Sequence, residues 1–133
     1  MRVLIIDDDP ILIMVCSRLM NITGFSTTVA SSRDGKEGFD YLKTTLETAS
    51  DTLPDLILLD INMPVMNGWD FLDLYTGLES VLPKKICIIM LSSTVDQADY
   101  DRANSYSQVS GFYSKPLTKE NLPDIAALVE SSR

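Results

Sequence analysis

The chain has 133 residues, of which 45% are hydrophobic, enough for about one domain with a core of ordinary size. Nineteen acidic residues against eleven basic ones give a net charge of −8, which opposes sequence-independent attraction to nucleic acid or anionic membrane surfaces and favours a protein partner. There is no histidine, which argues against zinc and against a histidine-based nucleophile system.

In chain order, Val3 to Ile6 is a short β-branched apolar run that reads as a strand buried on both faces, and it runs directly into Asp7, Asp8 and Asp9. Pro10 suits a helix first turn. Leu12, Val15, Cys16, Leu19 and Ile22 then share a helical stripe that ends at Gly24, a C-terminal cap. Phe25 to Ala30 is a weaker strand, carried by Thr27, Thr28 and Val29. A helix is expected over 34–47 with Phe39 and Leu42 inward, followed by a polar loop over 48–54. Leu56 to Leu59 is a second buried strand and ends on Asp60. A helix over 68–80 turns Phe71 and Leu74 inward. Ile86 to Leu91 is a third buried strand, a helix is expected over 96–106, Gly111 to Ser114 is a short strand, and a helix over 119–131 turns Ile125 and Leu128 inward.

Five alternations of strand and helix, joined by right-handed crossovers, predict an α/β fold: a parallel sheet with helices on both faces and a ligand crevice at the carboxyl ends of the strands. Asp7, Asp8, Asp9 and Asp60 all fall at those ends. Cys16 and Cys87 lie in apolar periodic segments without metal-type spacing, so they read as reduced core residues and the compartment as cytosolic. No leader or apolar run of the roughly 18 residues that span a bilayer is evident, so membrane insertion is not expected.

Asp9 has two readings, a helix N-cap or a member of the acidic cluster. Asp7 and Asp8 are harder to assign to capping. Two carboxylates about 4 Å apart repel by roughly 4 kcal/mol at an effective dielectric near 20, so convergence with Asp60 requires a metal, a lysine, or both. Oxygen-only ligands from one or two carboxylates are the usual arrangement for Mg²⁺. Ser92 reads either as a functional hydroxyl or as a strand-end hydroxyl capping its own turn. Trp69, Phe71 and Met63 read as packing residues rather than as a recognition patch.

Taken together, Ile6-Asp7-Asp8, Leu59-Asp60-Ile61-Asn62-Met63-Pro64, Met90-Leu91-Ser92-Ser93 and Lys115-Pro116 make the chain resemble, over nearly its whole length, the receiver domain of two-component response regulators. The resemblance implies a flavodoxin-like (βα)5 fold with strand order 2-1-3-4-5 and a single domain over 1–133. It implies that Asp60 is the phosphoacceptor, that Asp8 binds Mg²⁺ directly with Asp7 assisting through water, and that the Asn62 backbone carbonyl is a further ligand. Ser92 and Lys115 would engage the phosphoryl oxygens. A cis bond would precede Pro116, and Phe112 would stand where many receivers carry a switching aromatic, here without a phenolic hydroxyl. Asn62 and Thr94 occupy positions that tune acyl phosphate lifetime in such proteins. The implied partners are a histidine kinase or histidine phosphotransfer protein and a downstream protein target, with no direct nucleic-acid role. A stand-alone cytoplasmic receiver, not a conventional enzyme, is the expectation. A phosphorylation-independent interaction module on the same fold is the alternative. The segment Asn104-Ser105-Tyr106-Ser107-Gln108-Val109 departs from the Ala- and Gly-rich sequence common in the family and bears on the shape of the fourth helix.

Overall fold

The computed structural model describes residues 1–94 and 96–132, so two positions of the expected 1–133 span, Val95 and Arg133, lie outside the described residues. Strands β1 (Arg2–Ile6), β2 (Thr28–Ser32), β3 (Leu56–Asp60), β4 (Cys87–Ser92) and β5 (Val109–Ser114) form one parallel sheet in the order β2-β1-β3-β4-β5. Between and after them run α1 (Pro10–Ile22), α2 (Gly35–Thr48), α3 (Gly68–Glu79), α4 (Gln97–Asn104) and α5 (Leu122–Ser132). The expected α/β architecture and strand order are both present.

β1, β3 and β4 are apolar on both faces because both faces are covered. Leu4, Ile6, Ile57, Leu59, Ile88 and Met90 pack with Leu42, Phe71, Leu72 and Tyr75 on one side. Val3, Ile5, Leu56, Leu58, Cys87, Ile89 and Leu91 pack with Leu12, Cys16, Met20, Ile125 and Val129 on the other. Both cysteines are free and buried, and burial together with the charge of Asp7 pushes the Cys16 thiol up to about 11.

Helix starts follow local side-chain chemistry. Asp9, Asp34 and Asp96 cap α1, α2 and α4 by accepting backbone N–H groups, and Asn67 with Asp70 closes a reciprocal box at α3. The capping reading of Asp9 is the one the structure adopts, with Oδ1 accepting from the Ile11 N–H at 2.9 Å.

Several expected boundaries and faces differ. β2 begins at Thr28 rather than Phe25, because Ser26 Oγ donates to the Met1 carbonyl and its backbone N–H to the Met20 carbonyl, turning the chain before pairing starts. β2 then continues through Ser31 and Ser32 because Ile5 and Ile6 supply partners there, so sheet pairing overrides weak β propensity. β5 starts two residues early, at Val109, with an irregularity where Ile88 pairs Val109 and Ile89 pairs Gly111. The inward row of α1 is Leu12, Cys16 and Met20, in steps of four, while Val15 and Ile22 face solvent. On α3, Leu72 and Tyr75 are buried and Leu74 is exposed.

Among the described residues other than glycine, Val65 alone lies at positive φ. It has φ +66° at the centre of a tight turn in which the Met66 N–H donates to the Pro64 carbonyl at 2.7 Å. A β-branched side chain in that region costs roughly 1–2 kcal/mol. Its side chain is 81% exposed, so packing does not compensate. Val65→Gly is expected to raise stability by about 1 kcal/mol in urea unfolding, the relief of strain being partly offset by a freer unfolded chain. A stability equal to or below that of the wild type would contradict the strain.

Candidate functional site

The register brings the carboxyl ends of β1, β3 and β4 to one edge. Ile6 pairs Leu59, Asp60 pairs Leu91, and the Asp7 N–H continues β1 by donating to the Ser32 carbonyl at 3.0 Å. Asp7 and Asp60 are buried and Asp8 is exposed at the mouth, and each offers a carboxylate oxygen within 4.8 Å of the others. These three residues are the expected acidic cluster and could hold a metal ion.

Lys115 is the compensating charge within the cluster. Its Nζ lies 2.7 Å from Asp7 Oδ2 and 3.0 Å from Asp60 Oδ1, with only 16% of its side chain exposed. The backbone sets this reach, because the Lys115 N–H donates to the Ser92 carbonyl at 2.8 Å and the Lys115–Pro116 peptide is cis. Burial alone would lower the ammonium pKa, but Asp7 and Asp60 outweigh it and hold it above the ordinary lysine value. The Asp60 pKa is raised as well, which for a carboxyl disfavours the charged form. Burial, and then the charge of Asp7, raise its pKa, and Lys115 with the Ile61 N–H recovers only part of that.

A divalent cation fits this set. Asp7 Oδ2 is buried and, apart from its charge contact with Lys115, takes no hydrogen bond, while Asp7 Oδ1 accepts the Asp9 N–H at 2.9 Å. Hard oxygen donors, an unfilled buried lone pair and an open side at Asp8 meet what such an ion requires.

The remaining expected residues are placed as follows. Ser92, 2% exposed, spends its hydroxyl on its own turn: Oγ donates to the Thr94 carbonyl at 2.6 Å and accepts the Thr94 N–H at 3.2 Å. It stands one residue beyond the partner of Asp60, at the same edge. Asn62 lies in the loop leading to α3, two residues past Asp60, with its side chain exposed. Phe112 is half-buried on β5 and meets Tyr100 of α4 edge-on, with ring centroids 5.9 Å apart. Trp69 is packed as expected, but its packing is specific: the Tyr106 ring stacks on it at 6.0 Å and the Arg102 guanidinium sits 4.5 Å from its centroid.

Gly68 was not singled out by sequence. Its N–H donates to the Ile61 carbonyl at 2.8 Å, and a Cβ there would overlap the Asp60 carbonyl oxygen, so only glycine lets α3 start against the back of Asp60. The Asn67-Gly68 pair ahead of an apolar helix was the available signal.

Two expected outcomes follow from the charges. Lys115→Met leaves two buried carboxylates uncompensated and should cost about 3 kcal/mol of unfolding free energy at neutral pH with chelator, less with millimolar Mg²⁺. An equal loss with and without the ion would argue against shared compensation. For Asp60, a folded-state pKa above the unfolded one means that the native state binds the extra proton, so its charge costs stability at neutral pH and the cost fades as pH falls through that raised value toward the ordinary carboxylate range. Asp60→Asn should therefore be the more stable protein at pH 7, with the difference shrinking on acidification. A difference independent of pH would rule this out. The Lys115 contribution is fully present at neutral pH and is lost only above the ordinary lysine range.

The family model described as the response regulator receiver domain matches residues 3–127. The transcriptional regulatory protein PrrA of Mycobacterium tuberculosis is 34% identical over 95 residues, which are 71% of this chain and 36% of that protein. The nitrate/nitrite response regulator protein NarL of Escherichia coli is 39% identical over 71 residues, 53% of this chain and 30% of that protein. The chain thus spans about a third of the length of these curated relatives. Among solved structures, a two-component response regulator from Cytophaga hutchinsonii superposes with a TM-score of 0.89 at 29% identity, covering 98% of this chain and 96% of that one. A response regulator receiver protein from Dyadobacter fermentans gives 0.83 at 27%, covering 97% of each.

Proposed function

Because the chain belongs to the response regulator receiver family of two-component signalling, we propose that Asp60 accepts a phosphoryl group from a phosphohistidine on a histidine kinase or histidine phosphotransfer protein, and that this changes the affinity of the domain for a protein target. The observation that carries the reading is the buried ammonium of Lys115 bridging Asp7 and Asp60 inside a cluster of three converging carboxylates.

In the transfer, an Asp60 carboxylate oxygen attacks phosphorus in line. The P–O bond forms as the P–N bond breaks, and the imidazole leaves with the electron pair and takes up a proton. Asp7, Asp8, Asp60 and the Asn62 backbone carbonyl would hold Mg²⁺, which would supply neutralisation of the phosphoryl oxygens. Lys115 meets one of those oxygens as a compact charge already at the site. Ser92 gives up its bond to the Thr94 carbonyl to donate to another, which draws the loop after β4 toward Asp60. The added charge of roughly 1.5 to 2 is large enough to drive that exchange. Phe112, packed on Tyr100, carries the change to α4 and β5.

Receiver domains are signalling modules rather than conventional enzymes, and the chemistry proposed here is self-phosphorylation with slow hydrolysis. The receiver unit that we propose to carry this chemistry spans residues 1–133 and acts in the cytoplasm. No helix among the described residues is long and apolar enough to cross a membrane. Incubation with Mg²⁺ and a small phosphodonor should yield a single labile phosphate by intact mass, absent in Asp60→Asn. Equal labelling of that variant would refute the assignment of the acceptor.

A further inference from the structure

Beside the acidic cluster lies a groove of about 410 Å³ lined by Asp8, Pro10, Ile13, Ser31 and Arg33. Its position follows from the sheet: Ile6 pairs Ser32 and the Asp7 N–H donates to the Ser32 carbonyl, so Arg33 opens the loop next to Asp7 and Asp8. Pro10 and Ile13 contribute apolar wall, and Asp8 and Arg33 contribute opposite charges.

Arg33 is only loosely engaged. Its Nε lies 3.9 Å from Glu37 Oε2 with 82% of the arginine side chain exposed, a contact of the kind that contributes little. The neighbouring cations are held more closely, Lys36 by Asp40 at 3.0 Å and Lys115 by Asp7 and Asp60. The carboxylates at this edge have their own tasks: Asp9 and Asp34 cap helices, and Asp7, Asp8 and Asp60 form the cluster. A phosphoryl donor carrying two negative charges therefore approaches five carboxylates offset inside the cluster by the ammonium of Lys115, and outside it the loosely engaged guanidinium of Arg33 stands at the groove.

We propose that Arg33 is a specificity-determining residue for the phosphodonor, drawing a dianionic phosphoryl group into the groove beside Asp8 and favouring such donors over those of lower charge. The inference rests on Asp60 being the acceptor and adds the residue that governs approach to it. Its contribution is electrostatic attraction before transfer, so it depends on charge rather than on the shape of the guanidinium, and salt screens it.

The test measures the second-order rate constant for Asp60 labelling by acetyl phosphate, a dianion near neutral pH, and by phosphoramidate, which carries less net charge, in saturating Mg²⁺ at low and high ionic strength. At low ionic strength Arg33→Ala should slow labelling by acetyl phosphate about threefold and Arg33→Glu about tenfold, with Arg33→Lys within about twofold of the wild type and phosphoramidate less affected throughout. At high salt the differences should fall below about twofold. Wild-type labelling at Asp60 with an equally fast Arg33→Glu would overturn the inference and leave the acceptor intact. A slowing that persists at high salt and is not rescued by lysine would also overturn it, as a local structural effect. Failure of the wild type to label would sink the acceptor reading, and this inference with it.

Discussion

The ammonium of Lys115 shared between Asp7 and Asp60 is the interaction on which the rest of this site depends. Two neighbouring strands, β1 and β3, deliver three carboxylates to one edge because parallel pairing puts their carboxyl ends side by side. That arrangement is repulsive, and without a buried cation the edge would relax by protonation or by separation of the loops. Lys115 prevents both, and it can do so because its backbone is tied to the Ser92 carbonyl at the end of β4. Compensation is incomplete, as the raised pKa of Asp60 records. Incomplete compensation leaves room for a divalent cation without destroying the resting fold.

Much of this was legible in the sequence, for identifiable reasons. β1, β3 and β4 are buried on both faces, so their apolar runs are unbroken and their ends are marked abruptly by Asp7, Asp60 and Ser92. Asp9, Asp34, Asn67 and Asp96 announce helix starts through chemistry confined to a few neighbouring residues. The edge strands were less readable because their limits are set by partners. β2 runs through Ser31 and Ser32 on account of β1, and β5 absorbs an irregularity opposite Ile88 and Ile89. On α1 and α3 the apolar residues Val15, Ile22 and Leu74 face solvent, because apolar side chains there are not confined to one stripe and periodicity alone does not choose a side.

Contacts between side chains distant in sequence were invisible beforehand. The guanidinium of Arg102 over Trp69, the stack of Tyr106 on the same ring, and the Tyr106 hydroxyl donating to Asp73 at 2.9 Å join α4 to α3 through residues that no period links. They also explain what replaces the Ala- and Gly-rich sequence common at the end of the fourth helix. α4 buries only Ala103, so its position depends on aromatic and charged contacts at its margins more than on an apolar stripe.

That dependence bears on how a change at Asp60 reaches the surface. Gly68 places the first turn of α3 directly against the Asp60 backbone, and the next residue, Trp69, carries the clamp on α4. On the other side, Ser92 ends β4, and Phe112 on β5 meets Tyr100 of α4. α4 is therefore held from two directions, each beginning within one residue of Asp60 or of its strand partner Leu91. A helix with a deep apolar stripe would resist small shifts at such anchors, because sliding it would open cavities. α4 lacks that resistance, so a rearrangement at either anchor changes its balance of contacts at little cost in buried apolar area, and the site and its most lightly seated helix form one mechanical unit.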